Sequence, residues 1–284
     1  MASASAFWQQ VLADGLKVPV NRPLDDMTAE LTMMLGSPDP ELRAGIAYPT
    51  LSTWISRGVF DDLLSGLGDG MVSGIERGLG RAGDDGVFRR SYSVLVLAEC
   101  IRRDNLENRL PNVKILEWGD RVAAWYVREK DTRGWVVGKG WAHTVAHGAD
   151  AIAALAESVH FGKTELTVLL DVLADRVLMP VDQLFTSGEP DRVAKATMTV
   201  LRRNLVPQNV LDPWIARLAG GATAHTREDR DPFLRTGNAE MFLRSLYLQL
   251  ALAPNPPAVR ADLLLVLVQA LKRTNPHFLT QLNS

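Results

Sequence analysis

Cysteine is almost missing from this chain, which has one, Cys100, among 284 residues. A single cysteine excludes an internal disulfide and any zinc site built mainly from cysteines. A chain without a disulfide framework is typical of reducing compartments. We therefore expect a cytoplasmic protein.

An excess of charge of either sign is also missing. The chain has 31 Lys and Arg against 33 Asp and Glu, which gives a formal net charge of −2. A balance of this kind does not indicate the phosphate backbone of a nucleic acid or an anionic lipid surface as the main partner. We therefore expect neither as the chief partner.

Long apolar runs are absent as well. The run at 263–268 has six residues before Gln269, whereas a membrane-spanning helix needs about 20. Residues 1–15 carry no basic segment ahead of their apolar residues, so no secretory signal peptide is expected there. We expect a soluble chain with no membrane partner.

What the sequence does have is helical periodicity. One clear apolar stripe at helical spacing is formed by Leu24, Met27, Leu31, Met34 and Leu35. Few segments alternate with the period of two that a half-buried strand requires. The pattern predicts an all-α fold with essentially no sheet. Because no linker divides the chain, we expect one domain over residues 1–284.

A helix–turn–helix unit is repeated at an offset of 46 residues. Asp39 and Arg43 in the first copy correspond to Asp85 and Arg89 in the second, each ahead of an amphipathic helix. The pattern is similar to HEAT-like α-helical repeats, whose hairpins stack because one pair cannot bury its apolar face alone. We predict an irregular HEAT-like α-solenoid, with an irregular helical bundle as the alternative. The charged stretch at 221–236 is either a solvated connection or a functional loop.

One segment, residues 129–150, carries candidate chemistry. His143, His147 and Asp150 occur at i, i+4 and i+7, which places them on one face of a predicted helix. A histidine beside an aspartate is a candidate general base near neutral pH. We predict these three residues, with Asp131 on the preceding segment, as the catalytic group.

The same spacing also suits a metal ion, because two histidines four residues apart project from a helix in one direction. A site at His143 and His147 needs a carboxylate from elsewhere, for which Asp131 and Glu129 are the candidates, while Asp150 orients His147. No glutamate lies inside the His-x-x-x-His spacing, so the zinc-protease motif is absent. The cofactor prediction is therefore a divalent metal or none.

Several residues nearby suit ligand binding. Arg133 can bind a carboxylate or a phosphate through two parallel hydrogen bonds, and Glu129 lies four residues before it in the sequence. Trp125, Trp135 and Trp141 are crowded into the same stretch, and such rings often wall a ligand pocket. A purely structural alternative remains open, in which the histidines and aspartate tie neighbouring helices together and the tryptophans belong to the core.

The sequence has no motif that would support a nucleotide-dependent enzyme. We find no phosphate-binding loop, nucleophile elbow or dinucleotide fingerprint. The glycines at 66–70 follow a predicted helix rather than a strand, so that stretch is interpreted as a turn. We expect no nucleotide cofactor.

Two phrases around the histidines, with the acidic segment before them, resemble the signature of a bacterial family, domain of unknown function 2785. The phrases are Gly140-Trp141-Ala142-His143 and Ala146-His147-Gly148-Ala149-Asp150, after Glu129, Asp131, Arg133 and Gly134. The resemblance is clearest over residues 5–205. It implies a HEAT-like helical fold with a site around the His/Asp helix, and it implies no particular reaction.

Three functions fit these residues. The first is a small-ligand-binding protein or enzyme, such as a metal-assisted hydrolase or general acid/base catalyst, that uses a His/Asp-lined groove. The second is a non-catalytic HEAT-like scaffold for a peptide or protein partner. The third is a DNA-base-directed HEAT-like protein that uses Trp135, Asp131 and Arg133. This third function would also use a basic stripe for DNA binding, formed by Arg81, Arg89, Arg90, Arg102 and Arg103.

Overall fold

The computed structural model describes residues 2–223 and 231–279, with side chains from residue 6 onwards. Helices make up 70% of it, with 13 α-helices in the described part of the chain, so the fold is all-α as predicted. Contacts divide the chain into two compact units, Met1–Ala154 and Leu155–Ser284. Most of the 221–236 stretch, namely 224–230, lies outside the described residues.

The first unit contains six α-helices and the start of a seventh. They are α1 (Ala2–Ala13), α2 (Leu24–Met34), α3 (Tyr48–Ser56), α4 (Leu64–Glu76), α5 (Gly86–Glu107), α6 (Asn112–Arg128) and the start of α7 (Thr144–Glu157). A π-helix, Glu41–Ala47, leads directly into α3, and a 3₁₀ turn, Asp61–Leu63, leads into α4. Within this unit α3 packs on α5, and α4 packs on both α5 and α6.

The second unit holds the end of α7 and six further helices. These are α8 (Lys163–Leu178), α9 (Glu189–Arg202), α10 (Gln208–Gly221), α11 (Phe233–Leu252), α12 (Arg260–Thr274) and α13 (Pro276–Leu279). Helix α10 packs against α8 and α12, and α9 packs against α11. Helices α8, α9 and α10 therefore each contact the next helix but one along the chain.

Helix α5 forms the centre of the first unit. Nearly every residue from Val87 to Cys100 is buried, so the helix is apolar around most of its circumference. Arg90, Ser91 and Ser93 are the polar exceptions, and all three are fully buried. Buried polar groups need partners, so these positions mark where the core makes specific hydrogen bonds.

One short hairpin, in which β1 (Trp135–Val136) pairs antiparallel with β2 (Gly140–Trp141), interrupts the helices, so the described residues have almost no strand, as predicted. One local prediction was wrong. The glycines at 66–70 are not a turn but lie inside α4, because the helical apolar stripe outweighs the cost of glycine. Gly68 has a packing role there, since a Cβ would lie 2.1 Å from the Trp118 ring.

The two copies of the repeat start differently. In the first, an Asp39 carboxylate oxygen accepts the Glu41 amide at 2.9 Å, ahead of the π-helix. In the second, Asp84 rather than Asp85 accepts the amide of Gly86 at 2.9 Å. Asp85 instead forms an ion pair with Lys139. The aspartate that accepts a backbone amide ahead of the helix thus differs by one position between the two aligned segments.

No helix within the described ranges has both the length and the apolar composition that crossing a bilayer requires.

Candidate functional site

A backbone hairpin positions the first histidine. The Ala142 amide donates to the Gly134 carbonyl at 2.9 Å, and the His143 amide donates to the Arg133 carbonyl at 3.0 Å. His143 is not inside the helix as predicted, because it has a left-handed φ of 52° and α7 begins one residue later. Its carbonyl accepts the His147 amide at 2.9 Å, so His143 still lies one turn from His147.

His147 is hydrogen-bonded to a serine that the sequence did not assign to the site. Ser91 Oγ donates to the carbonyl of Ala142 and lies 2.8 Å from His147 Nδ1. We assign the hydroxyl proton of Ser91 to the Ala142 carbonyl, so that Ser91 Oγ accepts the proton of His147 Nδ1. The neutral ring therefore carries its lone pair on Nε2, which is the atom that can accept a proton or bind a metal.

A row of aromatic rings extends from His147 towards the surface. The Tyr92 ring meets the His147 ring edge-on at 5.2 Å, and His143 meets it at 5.8 Å. Trp141 stacks on His143 at 4.2 Å, and Trp135 meets Trp141 at 4.9 Å. Exposure rises along this row, from 8% at His147 to 40% at Trp141 and 57% at Trp135.

We call five of these side chains the histidine cluster: Ser91, Tyr92, Trp141, His143 and His147. Asp150, one turn further along α7, is 9% exposed, and its predicted role in orienting His147 stays a prediction. His143 is half-buried. The predicted proximity of the two histidines is therefore present, with Ser91 on Nδ1 of the inner one.

A second set of polar groups adjoins the cluster. Tyr48 donates its hydroxyl to Glu99 at 3.0 Å, and Arg102 donates to the same carboxylate oxygen at 2.8 Å. Arg102 also lies 3.4 Å from the carbonyl of Asp150. Burial and the Glu99 carboxylate raise the pKa of Tyr48 well above its ordinary value. The ring of Tyr48 contacts that of Tyr92, which connects this set to His147.

Glu129 lies away from the histidine cluster. It is 2% exposed and paired with the fully buried Arg90, whose Nη2 donates to Oε1 at 3.0 Å. The same Oε1 accepts the amide of Asp131 at 2.9 Å. Glu129 thus forms a buried ion pair that anchors the end of α6 to α5, and its ligand-binding role stays a prediction.

Asp131 and Arg133 hold each other. Arg133 Nε and Nη2 donate to the two carboxylate oxygens of Asp131 at 2.8 and 2.6 Å. Asp131 also accepts the amide of Gly83 at 2.9 Å, and its carbonyl accepts the hydroxyl of Thr144 at 2.6 Å. The hydrogen bond to Asp131 raises the pKa of Arg133. Both residues therefore fasten the hairpin to its neighbours.

Trp125 lies in the core, apart from Trp135 and Trp141. It is 1% exposed and packs, with Tyr126, beneath Gly148 of α7. A Cβ at Gly148 would lie 2.3 Å from the Tyr126 ring and 2.9 Å from that of Trp125. The glycine lets α7 approach α6 closely and so positions His147.

Within the described ranges, no group of three or more His, Cys, Asp or Glu side chains is arranged to hold a metal ion. The two carboxylates proposed as the third ligand, Glu129 and Asp131, are held by arginines. His143 and His147 are thus the two described side chains that a metal would use, one fewer than catalytic zinc sites take from the protein.

The arginines of the predicted basic stripe have different environments. Three of them are in ion pairs: Arg90 with Glu129, Arg102 with Glu99 and Arg103 with Asp61. Paired guanidiniums contribute little net field along a surface, so these positions do not form a continuous basic track.

The residues missed by the sequence reasoning share one signal. Ser91 and Tyr92 interrupt the most apolar stretch of α5, which runs from Val87 to Cys100. A polar residue inside a buried helix needs a partner, so it marks a specific contact. The partner of Ser91 lies 56 residues further along the chain, where periodicity gives no information.

Comparison with known proteins gives one match. A family model described as "Protein of unknown function (DUF2785)" matches residues 75–248, more than half of the chain. This range includes the whole histidine cluster. No curated protein and no solved structure gives a significant match.

Proposed function

The chain belongs to the DUF2785 family, and we propose that its histidine cluster binds a small organic ligand and transfers a proton through His147. The observation that carries this proposal is the Ser91–His147 hydrogen bond, which occupies Nδ1 and so assigns the proton transfer to Nε2. A structural histidine needs only a partner, whereas this arrangement also selects the tautomer.

The environment of His147 suits a proton acceptor. The ring is 8% exposed and lies between the Tyr92 and His143 rings, so little water surrounds it. A fixed base in such a setting loses little orientational freedom when a ligand binds. Imidazole changes its charge near neutral pH, which is the property that general acid/base catalysis uses.

The shape of the adjoining surface indicates the class of ligand. Trp135 and Trp141 expose their rings beside His143 and form an aromatic wall. Such a wall favours a planar or apolar group, which stacks on the rings while a polar group reaches the imidazoles. A small molecule or a short peptide with an aromatic or apolar side chain fits this description.

A metal-assisted hydrolase is the variant of this proposal that uses His143 and His147 as ligands. With two imidazoles from the described residues, a zinc ion would complete its coordination with water or with the bound ligand itself. Titration with Zn²⁺ separates the two variants, because the metal-free base requires no added ion.

The second candidate is a HEAT-like scaffold for a peptide or protein. Its support is the packing within each unit, where helices contact the next but one, as in stacked hairpins. Arginines also connect successive hairpins: Arg89 donates to the Met33 carbonyl at the end of α2 at 3.0 Å, and Arg203 to the Ser158 carbonyl at 2.8 Å.

A bacterial source and a cytoplasmic location stay predictions of the sequence.

The experiment compares the wild type with His147→Gln and His277→Gln in a thermal-shift screen of small metabolites and Zn²⁺. His277 is exposed in α13, so its variant controls for the loss of one imidazole. We expect at least one compound to stabilise the wild type and His277→Gln but not His147→Gln. Compounds that stabilise all three proteins equally would contradict the role of His147, and a peptide that stabilises the wild type and His147→Gln equally would favour the scaffold.

A further inference from the structure

A cavity lined mainly by charged residues lies in the first unit. It has a volume of about 670 Å³ and is formed by the end of α4, the loop that follows and the first turn of α5. Arg77, Arg81, Arg89 and Asp84 contribute side chains to its lining. The volume falls in the range of small-molecule sites.

The charge of this cavity is strongly positive. Arg90 in its wall is neutralised by Glu129, and Asp85 is neutralised by Lys139. Across the described ranges, neither Arg77 nor Arg81 is in an ion pair, and Arg89 donates to the neutral carbonyls of Thr32 and Met33. Three guanidiniums therefore face one carboxylate, that of Asp84.

Two of the guanidiniums repel each other. The pKa of Arg89 is lowered by its burial and then by the nearby charge of Arg77. Gly36 makes room for Arg89 in this position, because a Cβ at residue 36 would lie 2.7 Å from Arg89 Nε and displace the guanidinium. The protein thus maintains an unfavourable arrangement of like charges that an anion between them would relieve.

The loop between α4 and α5 allows Arg77 and Arg81 to reach the same cavity. Gly78, Gly80 and Gly83 all have a left-handed φ, at 71°, 89° and 83°, which other residues rarely adopt. The chain therefore turns sharply after Arg77 and brings Arg81 to the same cavity. The glycines have the spacing G-x-G-x-x-G but follow a helix, so the loop is not part of a dinucleotide-binding fold.

We propose that Arg77, Arg81 and Arg89 form a binding site for the phosphate group of a small phosphate monoester. Planar guanidinium forks bind phosphate through two hydrogen bonds each, which Arg77 and Arg81 can provide, whereas Arg89 contributes its charge because both of its Nη atoms already donate to carbonyls. Once the Asp84 carboxylate is counted against the three guanidiniums, the remaining positive charge matches that of a dianion. The remaining volume accommodates a small organic group. The site is separate from the histidine cluster and does not depend on the function proposed for it.

The test is calorimetric titration of the full chain with glycerol phosphate and with inorganic phosphate at low ionic strength. Arg77→Gln and Arg81→Gln each remove one exposed guanidinium, and each is expected to weaken binding about tenfold, the double variant about hundredfold. Arg128→Gln is the matched control, because it removes the same charge from the exposed face of α6. It should change the affinity less than about twofold.

Three results would overturn the site. Failure of the wild type to bind glycerol phosphate at millimolar concentration would remove the proposed ligand. Equal weakening by Arg128→Gln would show a diffuse charge effect instead of a cavity. Tighter binding of a short single-stranded oligonucleotide than of glycerol phosphate would make a nucleic acid the ligand. Melting curves of the variants confirm folding, since Arg77 and Arg81 are both exposed.

Discussion

Ser91 Oγ and His147 Nδ1 lie 2.8 Å apart and join the second turn of α5 to the first turn of α7. Because Ser91 also donates to the Ala142 carbonyl, a single hydroxyl fixes both the entry to α7 and the tautomer of the histidine. Stability and proposed chemistry therefore depend on the same side chain.

Ser91→Ala should destabilise the protein by about 1–3 kcal/mol, because the Ala142 carbonyl and His147 Nδ1 lose a buried partner. Urea denaturation measures the change in the free energy of unfolding. Ser56→Ala is the control: its hydroxyl donates to the Thr53 carbonyl at an exposed position, so the change there should be below about 0.5 kcal/mol. Equal effects at both positions would contradict a specific role for Ser91.

Glu129→Gln should cost about 3–5 kcal/mol, because it leaves the fully buried Arg90 guanidinium without its counter-charge. The exposed pair of Arg121 and Glu76 gives the comparison, and Glu76→Gln should cost less than about 1 kcal/mol. Denaturation in urea at neutral pH measures both. If the two substitutions have similar effects, the buried pair does not anchor α6 in the way described.

Gly148→Ala should destabilise the protein by about 1–3 kcal/mol, although alanine is the better helix former, because its Cβ would overlap the Tyr126 and Trp125 rings. Gly70→Ala in α4 is the matched control, since its Cβ would meet nothing within 4 Å. That variant should be more stable by about 0.5–1 kcal/mol. Thermal melts of both proteins show whether the signs are opposite, and a stabilised Gly148→Ala would exclude the close approach of α7 to α6.

The stability of the fold should fall with pH in the alkaline range through Tyr48. Burial and Glu99 raise the pKa of Tyr48 in the folded state, so the folded protein holds the phenolic proton more tightly than the unfolded chain does. The resulting stabilisation is complete below the ordinary tyrosine pKa of about 10 and is lost as pH rises from there towards the folded value. The free energy of unfolding, measured from about pH 9 to about pH 11, should fall more steeply in the wild type than in Tyr48→Phe. Parallel slopes would show that Tyr48 titrates normally.

Much of the fold could be predicted from helical periodicity, and the exceptions have local causes. The stripe of Leu24, Met27 and Leu31 correctly predicted α2. The glycines of α4 were mistaken for a turn because propensity was weighed without the Trp118 ring that fills the space beside Gly68. The hairpin at 135–141 is too short to show a strand period.

For the candidate site, the sequence predicted that the two histidines lie together, but it did not predict the hydrogen-bond and ion-pair partners of the site residues. The spacing of His143 and His147 indicated that they lie together, and their rings are 5.8 Å apart. The ion pair of Asp131 and Arg133 joins residues two positions apart, and these side chains face each other because the backbone turns between them. Trp125 belongs to the buried face of α6, whereas Trp141 is on the hairpin, a difference that composition alone does not reveal.

The most direct test of the central claim is the long-range proton–nitrogen NMR spectrum of the imidazole rings, with the His147 signals assigned from their loss in His147→Gln. The account predicts that neutral His147 carries its proton on Nδ1, that Ser91→Ala weakens this preference, and that Nε2 is the nitrogen whose shift changes when a stabilising compound from the screen binds. A neutral His147 with its proton on Nε2 would contradict the account.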